Sequence, residues 1–490
     1  MRRPLPPAAT RLGAAVLLAA VVAILALQVP CRPVDRDEGF WLYTGWRVSE
    51  GAFPYRDFAL PHLPAALYLY AGVVRAFGPS LYAARAVNAV FIILGGFALG
   101  AAATRRSGAS VGALTLLFYW SSSLTLTWLV PLKALGPATF ALALALAAVL
   151  WPSAPARLPL RAALAGAVLG LAAMARLTLA ATLPAAAAGI WLLTPPRRRL
   201  GPVAALCAAF AVVVAGAAYF RAVAGDAFVF NVWGIHTLFV EQTGGGRWLA
   251  LRDLFLPPDP VILVVLAVAA LGGGARRELV FPLGAAGLIL VGNLTPGTSS
   301  LQYFAPLVVA LAVPAATAAA RLRARAPIWG AALILAVVAL GAARPAAKII
   351  GDRAHKPLVG PAEVYGAAEV LRRNTPPGEV VFTAWPGYAA LARRGVMPGW
   401  ELGYFTDRIG SRIPAESRRR YHLMTYDETA AALARGRCRF VLDGLDTPAA
   451  LRPTLRRYFV PYANGYGVTL WRYAGPPPDI PKAKPGENGP

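Results

Sequence analysis

Acidic side chains are concentrated in one short stretch of a chain that otherwise contains few of them. Residues 35–58 read DRDEGFWLYTGWRVSEGAFPYRDF, and they hold five of the ten acids found before residue 344: Asp35, Asp37, Glu38, Glu50 and Asp57. A fixed carboxylate can take the proton of a hydroxyl group as a general base. The alternative is a solvated loop whose acids pair with the arginines beside them. The residues around the stretch distinguish between these two interpretations.

The residues around the acids favour a structured catalytic loop. A run of aromatic residues follows Glu38: Phe40, Trp41, Tyr43 and Trp46. Such a run is typical of a helix that lies in a membrane interface with its rings at headgroup level. The sequence GAFPY then predicts a turn, and two prolines flank His62 before a second aromatic helix, AALYLYAGVVRAFG. We therefore predict two interfacial helices joined by a turn, a place suited to chemistry on a lipid-linked substrate.

The elements that must position this loop are apolar. The chain has 490 residues, of which 57% are hydrophobic and 14% charged, whereas soluble chains carry about 25% charged residues. Its mean hydropathy is +0.55, and apolar runs of about 20 residues are long enough to cross a bilayer as helices. The formal net charge of +25 comes mostly from arginine clusters between these runs, as in cytoplasmic loops. The composition predicts a multi-pass membrane protein and argues against binding of nucleic acid.

An all-α membrane domain with eleven transmembrane helices is predicted over residues 1–343. The helices lie near residues 12–30, 81–103, 110–129, 134–151, 162–176, 178–194, 202–221, 257–272, 279–294, 301–320 and 327–343. The first has the features of a retained signal anchor with a cytoplasmic N-terminus. Arginines then collect at the cytoplasmic ends, for example at 197–199 and 321–325, as the positive-inside rule requires. This orientation places the long loops 31–80 and 222–256 outside the cytoplasm.

The last part of the chain has the pattern of a small α/β domain. Charge rises after residue 343, and three short β-rich runs appear: EVVFTAW at 379–385, CRFVLDG at 438–444 and GVTLWRY at 467–473. Helical patterns separate these runs. The prediction is an extracytoplasmic α/β domain over 344–475 and a disordered tail over 476–490, which is rich in proline and glycine.

The acidic loop resembles that of a known family. DEGFWLYTGWRVSEGAFPYRDF, followed by HLPAALYLY, is similar to the first external loop of membrane glycosyltransferases with the GT-C fold. The resemblance points to the branch of protein O-mannosyltransferases, lipid A aminoarabinose transferases and the Rgt-type transferases of bacterial lipopolysaccharide. It covers about residues 10–320, and outside this loop it is mostly one of hydropathy. It implies a GT-C-like fold and transfer of a sugar from a polyprenyl-phosphate donor to a lipid, glycan or protein acceptor.

The resemblance also assigns residues to the active site. It places the acidic pair of Asp37 and Glu38 there, and it brings Asp57, in PYRDF, nearby. Sugar transfer from a polyprenyl phosphate needs a base for the acceptor hydroxyl and a cation for the leaving phosphate. We predict that Asp37 is the base and that Glu38 orients it or binds the acceptor.

Candidates for substrate binding lie at the predicted external ends of the helices. Lys133 stands in a loop where several relatives have an acid, and His62 stands where family members often carry lysine. Arg176 interrupts an apolar hairpin, so it either binds an anion or snorkels to the headgroups. QYFAP, at 302–306, resembles a family HYF.P stretch with glutamine in place of histidine. The predicted substrate-binding residues are Arg56, Asp57, His62, Lys133, Arg176, Gln302 and Tyr303.

No cofactor is required by the sequence. The loop carboxylates could hold a divalent metal, but no ligand spacing demands one, and Cys31, Cys207 and Cys438 match no metal motif. The alternative function is a membrane transporter or lipid flippase, which would place ionisable groups near the bilayer midplane. Here the polar groups gather outside the apolar runs. The high content of alanine, arginine and proline points to a GC-rich bacterial genome, and so to a bacterial plasma membrane.

Overall fold

The computed structural model describes residues 19–20, 22–238, 246–273, 276–294, 300–355 and 359–475. The chain divides into two compact units, Met1–Ala362 and Glu363–Pro490. The part of the predicted first span before residue 19 and the predicted tail 476–490 lie outside the described residues.

The first unit is helical. Its helices are α1 (Val22–Cys31), α2 (Arg36–Ser49), α3 (Ala65–Phe77), α4 (Leu81–Ser107), α5 (Ala109–Ser121), α6 (Ser123–Trp128), α7 (Leu135–Leu150), α8 (Leu158–Ala175), α9 (Leu183–Leu193), α10 (Leu200–Ala215), α11 (Ala217–Ala224), α12 (Asp226–Val229), α13 (Ile235–Thr237), α14 (Gly246–Phe255), α15 (Pro258–Ala269), α16 (Arg276–Leu294), α17 (Leu307–Arg325) and α18 (Pro327–His355). A 3-10 segment, Leu177–Thr182, precedes α9, another, Leu301–Phe304, precedes α17, and a π-helical turn, Phe230–Gly234, lies between α12 and α13.

Five helices in the described part of the chain are long and apolar enough to cross a membrane. They are Leu81–Ser107, Pro155–Ala175, Leu200–Ala224, Arg277–Leu294 and Leu307–Arg325. A sixth is counted if Trp248–Phe255 and Pro258–Gly273, which meet at an angle of 85°, form one bent span. These helices indicate a multi-pass membrane protein, but they do not confirm the predicted count of eleven.

The count differs because several predicted spans are interrupted or short. The predicted span 110–129 breaks between α5 and α6, where the Ser122 hydroxyl accepts a hydrogen bond from the backbone N–H of Leu124 at 3.3 Å. A serine side chain that caps a helix in this way competes with continuation of the preceding helix. Other predicted spans are too short to be counted: the apolar helices Val22–Cys31, Leu135–Leu150, Leu177–Leu193 and Pro327–Ala343 each have 10–17 residues.

The two helices predicted in the acidic loop are present as α2 and α3, and they pack against each other. Three aromatic side chains of α2 that were predicted at headgroup level are buried within the protein. Phe40, Trp41 and Tyr43 are at most 3% exposed, because α2 is packed inside the protein. The loop is therefore part of the protein core, which gives its carboxylates fixed surroundings.

The second unit contains a mixed five-stranded sheet. Its strands are β1 (Val380–Phe382), β2 (Gly395–Val396), β3 (Phe440–Asp443), β4 (Phe459–Gly465) and β5 (Val468–Tyr473), in the order β2-β1-β3-β5-β4. β1 pairs in parallel with β2 and β3, and β5 pairs antiparallel with β3 and β4. The helices are α19 (Pro361–Asn374), α20 (Gly387–Ala392), α21 (Phe405–Gly410), α22 (Ala415–Arg420), α23 (Tyr426–Ala434) and α24 (Arg452–Tyr458).

The three predicted β-rich runs contain β1, β3 and β5. The sequence did not predict β2, which is two residues long, or β4, whose side chains from Val460 to Tyr462 are exposed. Exposure removes the alternating apolar pattern by which a strand is recognised. The turn from β4 to β5 uses positive φ at Tyr466 (51°) and Gly467 (75°), as a two-residue hairpin loop requires.

Candidate active site

The first turn of α2 fixes the three neighbouring acids. Asp35 is the N-cap residue, and its Oδ1 accepts a hydrogen bond from the backbone N–H of Asp37 at 3.0 Å. Glu38 reaches back to accept from the backbone N–H of Asp35 at 2.8 Å. Such a capping box satisfies N–H groups that would otherwise lack partners at the helix start. The cap therefore determines where each of the three carboxylates lies.

Lys133 joins two of these carboxylates. Its Nζ lies 2.9 Å from Oδ2 of Asp35 and 3.1 Å from Oδ2 of Asp37. It also donates to Oε1 of Gln302 at 2.6 Å. The Lys133 side chain is 5% exposed, whereas those of Asp35 and Asp37 are 24% and 15% exposed. We call these four residues the Lys133 cluster; in it a buried cation holds two partly accessible carboxylates.

The electrostatics keep Lys133 and Asp35 ionised. Burial by itself lowers the pKa of Lys133, but Asp37 and Asp35 raise it more, so the pKa lies above the usual value of 10.5. Burial raises the pKa of Asp35, but the charge and hydrogen bond of Lys133 bring it below the usual 3.8. Since an opposite charge at this distance favours the charged forms, Lys133 and Asp35 are both charged at neutral pH.

Glu38 has a different environment from Asp37. Arg85 of α4 donates to Glu38 through Nε at 2.8 Å and through Nη2 at 2.6 Å, and both side chains are fully buried. Oε1 of Glu38 also accepts from the backbone N–H of Leu132 at 2.9 Å. Burial raises the pKa of Glu38, but Arg85 lowers it more, to below the usual 4.5. Glu38 is thus a buried anion that ties α2 to α4 and to the residue before Lys133.

The segment that carries Lys133 is held by two further side chains. The Asn88 amide donates to the backbone carbonyls of Val130 and Pro131 at 3.3 and 2.8 Å. The Tyr70 hydroxyl donates to the backbone carbonyl of Lys133 at 2.6 Å. Neither Arg85, Asn88 nor Tyr70 was predicted from the sequence. Arg85 could have been noticed, because a charged residue within an apolar helix needs a partner.

Arg176 is a second cation near the cluster, and it lies against Tyr303, the residue after Gln302. The guanidinium carbon of Arg176 is 4.2 Å from the centre of the Tyr303 ring, a distance typical of a cation–π contact. Arg176 is 8% exposed, and its Nε is buried without a hydrogen-bond partner among the described residues. An unsatisfied buried N–H of a cation is costly, so this group is well suited to receive an anion.

His62 is not a good candidate for a cation. Its ring stacks on Trp41, with centroids 5.2 Å apart, and lies 6.5 Å from the ring of His236. Burial, together with His236 and Arg176, holds the pKa of His62 well below the usual 6.5. Nε2 of His236 lies 3.1 Å from the backbone carbonyl oxygen of Pro61. His62 is therefore neutral at neutral pH, unlike a lysine at this position.

Arg56 and Asp57 contact each other within one turn of the loop. Arg56 donates to Asp57 through Nε and Nη2, both at 2.8 Å, and Asp57 accepts from the backbone N–H of Phe53 at 2.7 Å. The turn is strained, since Tyr55 has a φ of 69°, and it is fastened by the Tyr55 hydroxyl, which donates to the carbonyl of His62 at 2.7 Å. These contacts give Arg56 and Asp57 a role in shaping the loop.

The cluster does not form a ligand set for a metal ion. Among the described residues, no three His, Cys, Asp or Glu side chains are grouped so that they could hold one. The position between the carboxylates of Asp35 and Asp37, where a divalent ion would lie, is taken by the ammonium of Lys133. Lys133 thus supplies a positive charge at this position.

Comparison with known proteins establishes the fold. No family model matches the sequence, and no curated protein matches it significantly. The structure is similar to ArnT from Cupriavidus metallidurans bound to undecaprenyl phosphate, with a TM-score of 0.69, 17% identity, and coverage of 93% of this chain and 97% of that one. The apo state of ArnT gives a TM-score of 0.69, 16% identity, and coverage of 94% and 98%.

The likeness extends to a larger enzyme. The oligosaccharyltransferase of Archaeoglobus fulgidus, in complex with Zn and sulfate, gives a TM-score of 0.54 at 14% identity, over 93% of this chain and 73% of that one. ArnT is an aminoarabinose transferase, and both proteins have the GT-C fold. The chain therefore has a GT-C fold, and the resemblance stated for the acidic loop is confirmed.

Proposed function

We propose that the protein is an inverting glycosyltransferase that uses a polyprenyl-phosphate sugar. The observation that carries the proposal is the pair of accessible carboxylates held by buried Lys133 at the start of α2. The shared fold supports it, since ArnT has been crystallised with undecaprenyl phosphate. The transporter or flippase considered as the alternative finds no support in these comparisons.

The proposed reaction is a single displacement at the anomeric carbon. The acceptor hydroxyl gives its proton to Asp37 while its oxygen forms a bond to C1 of the sugar. The bond between C1 and the phosphate oxygen breaks, and the phosphate leaves with the electron pair. Attack on the face opposite the leaving group inverts the anomeric centre. The base must be positioned to accept the proton, and Lys133 holds Oδ2 of Asp37 at 3.1 Å from its Nζ.

Arg176 is the proposed partner of the leaving phosphate. A buried guanidinium binds phosphate oxygens through charge-assisted hydrogen bonds, and Nε of Arg176 has no partner in the described part of the chain. Tyr303, which stacks on the guanidinium, holds its plane in place. Lys133, which donates to Gln302, orients the carboxylate of Asp37.

Transfer should depend on a lipid-phosphate donor and on Arg176. Membranes containing the full chain are supplied with radiolabelled undecaprenyl-phosphate sugars or with nucleotide sugars, and label in acceptor material is followed. We expect label only from the lipid-linked donors. Arg176→Gln should raise the KM for the donor about 10- to 150-fold, since a hydrogen bond to a charged group contributes about 1.5–3 kcal/mol.

Arg75→Gln is the matched control, because Arg75 is an exposed cation in the last turn of α3. Its KM should equal that of the unaltered protein. Efficient transfer from nucleotide sugars, or an unchanged KM in Arg176→Gln, would contradict the proposed donor site.

We also propose that the site and the second unit face away from the cytoplasm, in a bacterial plasma membrane. The support is the placement of arginine clusters at 197–199 and 321–325. In a background without Cys31, Cys207 and Cys438, a single cysteine at an exposed position shows on which side of the membrane that position lies.

Glu50→Cys and Ala415→Cys should react with a membrane-impermeant thiol reagent in intact cells, and Ala324→Cys should react only after lysis. These positions are all exposed. Labelling of Ala324→Cys in intact cells, with protection of the other two positions, would show the opposite orientation and contradict the proposal.

A further inference from the structure

A basic pocket lies at the end of α8 opposite Arg176. Arg176 directly follows the last residue of α8, whereas the pocket is formed where α8 begins, where α9 ends and where α10 begins. The 18 residues of α8 span about 27 Å at 1.5 Å per residue, which is close to the thickness of the hydrocarbon core of a bilayer. The pocket therefore lies one membrane thickness away from the candidate active site and has no part in the proposed reaction.

The pocket is a defined cavity. Its volume is about 470 Å³, and its walls include three consecutive arginines, Arg197, Arg198 and Arg199, together with Trp191. Cavities of about 300–1,000 Å³ are the size at which small ligands bind. Pro159 and Pro196 also line it, and their fixed φ angles limit the freedom of the walls. The site is thus concave and largely preformed. We call it the Arg197–Arg199 pocket.

Among the described residues, no Asp or Glu lines the pocket. Residues 58–225 contain neither Asp nor Glu. Arg199 is held in place: its guanidinium carbon lies 5.3 Å from the centre of the Trp191 ring, and its Nε donates to the carbonyl of Thr194 at 3.3 Å. Arg197 and Arg198 are exposed. Several cations around a concave surface attract an anion from outside the protein.

Large apolar side chains are exposed at the same end of the helices. Leu200 and Leu160 are each 75% exposed, Leu164, one turn further along α8, is 57% exposed, and Trp191 is 40% exposed. A small soluble anion would need only the arginines. A molecule with an anionic head and apolar chains would use both features, because its chains would cover the leucines while its phosphate contacts the guanidinium groups.

We propose that the Arg197–Arg199 pocket binds the headgroup of an anionic phospholipid. The phosphodiester lies among the arginines, and the acyl chains run along the exposed leucines of α8 and α10. The positive-inside rule accounts for arginines in a short cytoplasmic loop, but it does not require a cavity or an arginine stacked on Trp191. A lipid bound there would anchor the start of α8, which lies far from the candidate active site. This role does not depend on the orientation of the chain in the membrane.

The test is retention of lipid by the purified full-length protein in a neutral detergent, measured by native mass spectrometry. The probes are dioleoyl phosphatidylglycerol, dioleoyl phosphatidylcholine and inorganic phosphate as competitor. We expect retention of phosphatidylglycerol that is about 30-fold weaker in Arg197→Gln/Arg198→Gln, the effect of two basic residues at a membrane surface. Arg197→Lys/Arg198→Lys should keep most of the retention, because the charge remains.

Arg323→Gln/Arg325→Gln is the matched control, since it removes two exposed arginines from the last turn of α17. It should retain phosphatidylglycerol like the unaltered protein. Three outcomes would each overturn the proposal: equal loss in the control, which would mean a general effect of surface charge; equal retention of phosphatidylcholine; and displacement by millimolar inorganic phosphate, which would mean a site for a free anion.

Discussion

Asp37→Asn is expected to lower the rate of sugar transfer by about 10²–10⁴-fold, the usual effect of removing a general base. Asparagine keeps the size of the side chain and can still accept a hydrogen bond from Lys133, but it cannot take a proton from an acceptor hydroxyl. The side chain of Asp37 is 15% exposed and lies at the edge of the Lys133 cluster, so its loss should leave the fold intact. The measurement is initial transfer rate at matched protein level, with thermal unfolding as the check on folding.

Two other acids of the loop serve as controls for this variant. Glu50 is exposed at the end of α2, so Glu50→Gln should change the rate by a small factor only. Asp35→Asn is the stricter control: asparagine is as good an N-cap residue as aspartate, but the ion pair with Lys133 is lost. A rate for Asp37→Asn close to that of the unaltered protein would exclude Asp37 as the base. A larger loss in Asp35→Asn would assign the base to Asp35.

Glu38→Gln is expected to destabilise the protein by about 3–5 kcal/mol, the usual cost of leaving one member of a buried ion pair without its partner. Arg85 is fully buried against Glu38, and glutamine provides no charge to balance it. Thermal unfolding of the purified protein in detergent measures the effect. Glu38→Gln/Arg85→Met should be less destabilised than the sum of the two single variants, because the uncompensated charge is removed.

The pH dependence of stability gives an independent check on Glu38. Its pKa in the folded protein lies below the usual 4.5, so its contribution is present above that value and is lost as the pH falls through the folded pKa. Glu38→Gln should lack this acid-sensitive part of the stability. If Glu38 instead served the chemistry directly, Glu38→Gln would lose transfer activity while its unfolding temperature stayed unchanged.

The local features of the loop could be predicted from the sequence, because they depend on neighbouring residues. Asp35 and Glu38 stand three residues apart before an aromatic run, which is the spacing of a capping box, and α2 and α3 appear where the aromatic patterns predicted helices. The burial of α2 could not be predicted, since an aromatic face fits a protein core as well as a headgroup layer.

The roles of the charged residues depend on contacts between distant parts of the chain. We predicted Asp37 as the base and Glu38 as its partner, and the contacts of Glu38 with Arg85 on α4 and of Asp37 with Lys133 after α6 show how their surroundings differ. Arg176 and Lys133 were both predicted to bind substrate. Nothing in the sequence places Tyr303 against Arg176, or Asp35 and Asp37 against Lys133. For the same reason, the local pairing of Arg56 with Asp57 became visible only in the folded turn.

The contact between Lys133 and Gln302 has a consequence for when the Lys133 cluster is assembled. The two residues are 169 positions apart, and Tyr303, which follows Gln302, supports Arg176. During synthesis and insertion, the acidic loop, Lys133 and Arg176 all leave the ribosome well before Gln302 does. A nascent chain can therefore fold its catalytic loop early, yet the cluster stays incomplete until the segment leading into α17 arrives. If the proposed function is right, a chain that ends before Gln302 should therefore have no transfer activity.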